Sequence, residues 1–134
     1  MTKEIKILLI EDDADDIELL EEALRSNNVS FTMQSIMEGD QVSPYLAAHK
    51  DVPDLIVLDF NLPKLHGREI LSIIKNAEYY KDVPLVVLST SASQDDVLFA
   101  KEMGANHYIT KPVSVSEYNN VVRIITETAT QAQQ

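Results

Sequence analysis

The sequence contains no cysteine and no tryptophan, and its 11 lysines and arginines are outnumbered by 22 aspartates and glutamates. Without cysteine, the chain forms neither a disulfide nor a thiolate metal site. The formal net charge of -11 argues against nucleic-acid binding, because phosphate neutralisation requires clustered basic side chains. No apolar run approaches the roughly 18 residues of a membrane span. We therefore expect one cytoplasmic domain over residues 1–134, with no nucleic-acid or membrane contact.

Five short segments have the composition of β-strands. Residues 5–10, 55–58 and 85–88 are almost continuously apolar and rich in Val, Ile and Leu. Continuous hydrophobicity over four to six residues is typical of a parallel strand that is buried on both faces. Residues 31–36 and 107–109 are weaker candidates.

Helical patterns fill the intervals between these strands. The expected helices cover residues 14–27, 43–49 (opened by Ser43 as N-cap and by Pro44), the segment after Gly67, 94–103 (ended by Gly104) and a last helix marked by Val115 and residues 118–125. Five strand–helix repeats predict an α/β fold of the doubly wound, flavodoxin-like type, a five-stranded parallel sheet in the order 2-1-3-4-5. Its core is expected over about residues 5–125, followed by a frayed polar tail at 126–134.

Polar side chains follow four of the five predicted strands. In such sheets, ligands bind outside the carboxyl ends of the strands, where the strand order reverses. Neighbouring parallel strands lie about 4.8 Å apart, so these side chains are expected to converge. They are Glu11, Asp12 and Asp13 after strand 1, Asp59 and Asn61 after strand 3, Ser89 after strand 4 and Lys111 after strand 5.

This set of residue types predicts a particular chemistry. Clustered carboxylates repel one another, and Mg²⁺ with its preference for oxygen ligands relieves that repulsion. Asp59 closes an apolar strand, where its carboxylate can act as a nucleophile and form an aspartyl-phosphate. The Ser89 hydroxyl and the Lys111 ammonium would then bind phosphoryl oxygens.

The segments ILLIEDD, DLIVLDFNLPKLHG, VPLVVLSTS and YITKPV resemble the receiver domains of two-component response regulators, in the same order along the chain. The resemblance implies that Asp59 is the phosphoacceptor and that Mg²⁺ is the cofactor. It further implies a Lys111–Pro112 peptide in the cis form. The remaining implied roles are metal binding by Glu11, Asp12, Asp59 and the Asn61 backbone carbonyl, phosphoryl binding by Ser89 and Lys111, and switching by Ser89 and Tyr108.

The resemblance also indicates partners. A sensor histidine kinase would supply the phosphoryl group, and a phosphotransfer protein, an effector protein or a homodimer would carry the signal onward. The motifs GREIL and LSTSAS are similar to those of stand-alone receivers paired with phytochrome-type kinases. Such a domain phosphorylates and dephosphorylates only itself, so we do not expect an enzyme.

Three other interpretations compete with a phosphorylated receiver. A degenerate receiver used purely as a binding module would be expected to lack the acceptor Asp, one of the acidic pair or the lysine, and Glu11, Asp12, Asp59 and Lys111 are all present. A Mg²⁺-dependent phosphohydrolase would also form an aspartyl-phosphate, but it commonly carries a second Asp where this sequence has Asn61. Alternatively, each residue has a purely structural explanation. The acidic residues 12, 13, 15 and 16 would complement the dipole of the first helix, Asp59 would form a turn, and residues 89–91 would cap a helix.

Overall fold

The computed structural model describes residues 3–91 and 93–131. Five strands form one parallel sheet in the order β2-β1-β3-β4-β5. Their bounds are β1 Ile5–Ile10, β2 Phe31–Ile36, β3 Leu55–Leu58, β4 Leu85–Ser89 and β5 His107–Thr110. The predicted fold class and strand order are confirmed, so the strand order reverses between β1 and β3.

Five α-helices connect and cover the strands. They are α1 Ala14–Ser26, α2 Val42–Ala48, α3 Gly67–Lys75, α4 Gln94–Glu102 and α5 Tyr118–Gln131, with a short 3₁₀ helix at Gly39–Gln41. Asp13 caps α1 by accepting the backbone N–H groups of Asp15 and Asp16, and Ser93 caps α4. Gly104 follows α4 with a φ of +94°, which confirms the predicted left-handed position.

The sheet separates two hydrophobic cores. Alternate side chains of a strand point to opposite faces, so Leu8 and Ile10 of β1 belong to one core and Ile7 and Leu9 to the other. On the first face, α2, α3 and α4 contribute Leu46, Ile70, Ile74 and Ala100. On the second, α1 and α5 contribute Leu20, Leu24, Val122 and Ile125.

The second helix begins differently from the prediction. It starts at Val42 rather than after Ser43, and Gln41 is its N-cap. Pro44 is therefore the third helical residue, a position whose N–H has no partner inside a helix, so the proline ring is tolerated there.

The last helix begins later and ends later than predicted. Val115 precedes it and is 74% exposed, whereas Thr128 and Ala129 are buried inside the predicted polar tail. Threonine hydroxyls return hydrogen bonds to carbonyls one turn earlier, as Thr128 does to Ile124 (2.6 Å). The threonine hydroxyls are thus satisfied inside the helix, and burial of Ala129 in the second core favours continuation of the helix through this segment. Residues 132–134 of the predicted tail lie outside the described residues.

No helix in residues 3–91 and 93–131 is long and apolar enough to cross a membrane.

Candidate functional site

Three carboxyl groups meet at the carboxyl edge of the sheet. Glu11 and Asp12 follow β1 and Asp59 follows β3, and one oxygen of each lies within 4.8 Å of the others. The backbone holds them there, because the N–H of Asp59 donates to Ile10 O (3.0 Å) and extends the pairing of β1 with β3. Glu11 and Asp59 are only 2% and 4% exposed. The structure thus brings together three of the four carboxylates that the sequence predicted to converge, whereas the fourth, Asp13, caps α1 instead.

Lys111 reaches into this cluster from the end of β5. Its ammonium donates to Glu11 Oε1 (2.6 Å), Asp16 Oδ2 (2.7 Å) and Asp59 Oδ2 (3.0 Å). An ammonium has three N–H donors, so all three are used. The sequence prediction had placed Lys111 at this edge but had not included Asp16.

A sequence signal for Asp16 was nevertheless present. Asp16 lies four residues before Leu20 and eight before Leu24, both of which are buried. Residues at this spacing share one face of a helix. Asp16 therefore lies on the inward face of α1, whereas the dipole explanation treats every acidic residue of the first turn alike.

The predicted cis peptide is wrong for this structure. The part of the chain that the structure describes, which includes Lys111 and Pro112, contains no cis peptide bond. A trans bond is favoured before proline by about 0.5–1 kcal/mol. The Lys111 N–H donates to Ser89 O (2.9 Å), and from this position the side chain reaches all three carboxylates with the trans bond.

Asn61 links Asp59 to the end of β4. Its backbone N–H donates to Asp59 Oδ1 (3.0 Å). Its side-chain amide donates to Thr90 Oγ1 (2.8 Å) and approaches Ser89 Oγ at 3.4 Å. The Ser89 side chain is fully buried, so Asn61 connects Asp59 to a hydroxyl that solvent does not reach.

The environment separates the pKa values of the two buried carboxyl groups. Burial and the adjacent Asp59 carboxylate raise the pKa of Glu11 to about 9, against the opposing effect of Lys111. Burial also tends to raise the pKa of Asp59, but its interactions with the Glu11 carboxyl group, the Asn61 backbone N–H and Lys111 outweigh burial and hold that pKa below its ordinary value. Burial tends to lower the pKa of Lys111, and its carboxylate partners outweigh that effect and raise it. At neutral pH, Asp59 is therefore ionised and Lys111 charged.

The residues fit a hard divalent cation. Glu11 Oε2 is buried and makes no hydrogen bond, which leaves a costly unsatisfied acceptor inside the protein. Glu11 belongs to the cluster with Asp12 and Asp59, and carboxylate oxygens are the ligands that Mg²⁺ and Mn²⁺ prefer.

Ser91 connects Ser89 to Tyr108. The Ser91 N–H donates to Ser89 Oγ (3.2 Å), and the Tyr108 hydroxyl donates to Ser91 O (2.7 Å). The Tyr108 ring packs edge-on against Phe60, the residue after Asp59, with centroids 5.7 Å apart. The predicted switch residues are thus joined through one backbone segment, and the tyrosine ring is directed inward.

Helices α3 and α4 fix the position of Ser91 through a side-chain network. Asp96, in the first turn of α4, accepts from Arg68 Nε (2.8 Å) and from Ser91 Oγ (2.7 Å). Burial tends to raise the pKa of Asp96, but the Ser91 hydroxyl and the Arg68 guanidinium outweigh it and lower that pKa. The sequence does not predict this network, because the contact between Arg68 of α3 and Asp96 of α4 depends on how the two helices pack on the sheet.

Comparison with known proteins agrees with this geometry. The family profile described as "Response regulator receiver domain" matches residues 7–123. The response regulator Rcp1 of Synechocystis sp. is 34% identical over 122 residues, which cover 87% of this chain and 83% of Rcp1. The chain belongs to the response regulator receiver domain family, which confirms the family resemblance in the sequence.

Solved structures show the same relationship. The phosphorylated cyanobacterial phytochrome response regulator RcpA has a TM-score of 0.83 at 39% identity, with 93% of both chains covered. A Mn²⁺-bound form of Rcp1 has a TM-score of 0.80 at 34% identity, with 92% of both chains covered. RcpA is a phytochrome response regulator, so the finer resemblance to receivers of this type is also confirmed.

Proposed function

We propose that this receiver domain accepts a phosphoryl group on Asp59 from a phosphohistidine of a sensor histidine kinase, with Mg²⁺ as cofactor. The observation that carries the proposal is the position of Asp59. Its carboxylate lies in the acidic cluster with Glu11 and Asp12, and its Oδ2 is 3.0 Å from the Lys111 ammonium. Phosphorylation reported for RcpA and Mn²⁺ binding reported for Rcp1 support it.

The residues divide the chemistry among them. An Asp59 oxygen attacks phosphorus, an O–P bond forms, and the N–P bond to the histidine breaks with its electrons returning to the imidazole. Lys111 and Ser89 donate to phosphoryl oxygens and stabilise the charge that develops on them. Glu11, Asp12, Asp59 and the Asn61 backbone carbonyl would hold Mg²⁺, which when bound neutralises phosphoryl charge. Water later cleaves the O–P bond and restores Asp59.

The phosphohydrolase alternative is not supported. The residue at its usual acid position is Asn61, whose amide donates to Thr90 and cannot release a proton as an acid. The domain would therefore act once on itself for each phosphoryl group rather than turn over an external substrate.

Labelling by a small phosphodonor tests the proposal. Incubation with acetyl phosphate and Mg²⁺ should add one phosphoryl group to the protein, measured by intact mass. Asp59→Asn keeps the shape of the side chain and removes the nucleophile, so it should gain none, and a chelator should suppress labelling of the parent. Asp54→Asn is the matched control, because Asp54 lies at the opposite end of β3, where it accepts from the Lys6 N–H. Equal labelling of parent and Asp59→Asn would refute the assignment.

We propose that the signal leaves through α4, β5 and α5. A phosphoryl oxygen that draws Ser89 Oγ toward it would alter the Ser91 N–H contact at 3.2 Å, and Ser91 O holds the Tyr108 hydroxyl. Leu98 of α4 is 56% exposed and gives this face an apolar contact for a phosphotransfer protein, an effector or a second copy of the chain.

Beryllium fluoride with Mg²⁺, a phosphoryl mimic, tests this route by NMR. We expect amide chemical-shift changes at Ser91, at Tyr108 and along α4 in the parent. Tyr108→Phe removes the hydroxyl donor and should cost about 1 kcal/mol of unfolding free energy, while the changes on α4 shrink. Shifts restricted to the pocket in the parent would contradict the route.

A further inference from the structure

The Lys111 ammonium has one partner that the proposed phosphotransfer does not use. Of its three acceptors, Glu11 and Asp59 belong to the acidic cluster. The third acceptor, Asp16, approaches from α1 at 2.7 Å. Only 9% of the Lys111 side chain and 27% of the Asp16 side chain are exposed, so water screens this pair weakly.

The start of α1 fixes the position of Asp16. Asp13 Oδ1 accepts the N–H groups of Asp15 (2.9 Å) and Asp16 (3.3 Å) and closes the first turn. Leu20, one turn later on the same face of the helix, is fully buried. The Asp16 carboxylate therefore points inward, toward Lys111. The carboxylate therefore stays in place when the cluster changes its partners.

We propose that Asp16 is a positioning residue for Lys111, which keeps one N–H of the ammonium while the other two leave Glu11 and Asp59. This inference rests on the proposed function, in which a cation takes oxygens of Glu11 and Asp59 and an O–P bond joins a phosphoryl group to the Asp59 carboxylate. Both events remove acceptors from Lys111. Because Asp16 remains, the ammonium stays at the pocket instead of turning outward, and its two free donors face the phosphoryl oxygens.

A physical consequence follows for cation binding. The ammonium and a divalent cation compete for the same carboxylates, and Asp16 offers the ammonium an alternative acceptor. Without Asp16, Lys111 binds Glu11 and Asp59 more tightly, and displacing it costs more. Loss of a residue that orients the groups around a metal site typically weakens affinity by about 10- to 100-fold.

Asp16→Asn and Asp15→Asn form a matched pair for the test. Both remove one negative charge from the first turn of α1, but Asp15 is exposed and Lys111 contacts Asp16. Calorimetric titration with Mg²⁺ alone should show at least about tenfold weaker binding for Asp16→Asn than for the parent. Asp15→Asn should change the affinity by less than about twofold, as expected for an exposed charge in salt.

The Lys111→Met variant tests whether Asp16 affects Mg²⁺ binding through Lys111. In Lys111→Met, Asp16→Asn should weaken Mg²⁺ binding much less than it does in the parent background, because the ammonium that competes for the carboxylates is absent. Labelling by acetyl phosphate at saturating Mg²⁺ should be about tenfold slower in Asp16→Asn than in the parent.

Equal Mg²⁺ affinities for Asp16→Asn and Asp15→Asn in the parent background would overturn the inference, as would an effect of Asp16→Asn that is as large in Lys111→Met as in the parent. Failure of the proposed function is a separate result, namely a parent protein that takes up no phosphoryl group. The titrations measure the role of Asp16 in either case. Far-ultraviolet circular dichroism of each variant confirms that the comparison is made between folded proteins.

Discussion

Lys111→Met should lower the free energy of unfolding by about 3 kcal/mol at neutral pH without divalent cations, because removing one partner of a buried ion pair leaves uncompensated charge. The methionine keeps most of the aliphatic stem, so the loss reflects the missing ammonium rather than a cavity. Three carboxyl groups lose a donor at 2.6–3.0 Å. We also expect Mg²⁺ to bind the variant more tightly than the parent and to restore its stability, since the cation replaces the ammonium.

Urea unfolding with and without Mg²⁺ measures both effects. Lys75→Met is the control, because Lys75 is a half-buried lysine whose ammonium donates to a backbone carbonyl, that of Lys81, at 3.3 Å. Its replacement should cost about 1 kcal/mol, with no dependence on Mg²⁺. A Lys111→Met protein that is as stable as the parent, or that binds Mg²⁺ more weakly, would show that Lys111 does not compensate the cluster.

Gly67→Ala should destabilise the fold by about 3 kcal/mol, the upper part of the usual range for overpacking a core. A Cβ at Gly67 would lie 2.3 Å from Phe60 Cα and 2.4 Å from Phe60 Cδ1. Phe60 is fully buried, and its backbone carbonyl accepts the Gly67 N–H (3.0 Å). The backbone beside Asp59 would have to move, so we expect slower phosphoryl labelling as well as lower stability.

The direction of the stability change in Gly67→Ala distinguishes the steric contact from helix propensity. Alanine is a better helix former than glycine by about 1 kcal/mol, so without the contact to Phe60 the substitution at the start of α3 would stabilise. Gly104→Ala is the comparison, since its Cβ would be 3.8 Å from the nearest atom but its φ is +94°. There we expect a loss of about 1–2 kcal/mol from backbone strain alone, with labelling unchanged. A Gly67→Ala variant as stable as the parent would contradict the steric argument.

The sequence was sufficient to predict the sheet because parallel strands such as residues 55–58 require uninterrupted hydrophobicity. The strand order then brought Glu11, Asp59, Ser89 and Lys111 to one edge, and the carboxylate cluster followed from that placement alone. Contacts that depend on the direction of a side chain were harder to predict. An acidic residue in the first turn of a helix, such as Asp16, is ordinarily explained by the helix dipole. Only its spacing from Leu20 indicates that Asp16, unlike Asp15, lies on the buried face.

Two further features could not be derived from local patterns. The Arg68–Asp96 ion pair joins residues of different helices, and its existence depends on how α3 and α4 pack on the sheet. The continuation of α5 through Thr128 depends on burial against the rest of the second core, whereas the composition of residues 126–131 is that of a solvated tail. In both cases tertiary packing decides the outcome, and propensity is a weak guide.

The two hydrophobic cores have no residue in common, and this has a consequence for how such a protein can diverge. Substitutions that are far apart and share no contacts tend to combine additively. The α1 and α5 layer, which includes Leu24 and Val122, can therefore accumulate changes without requiring compensation among α2, α3 and α4. A gene duplicate can acquire a new specificity on the surface of one helix layer while the surface of the other layer stays unchanged. The two layers can therefore evolve independently.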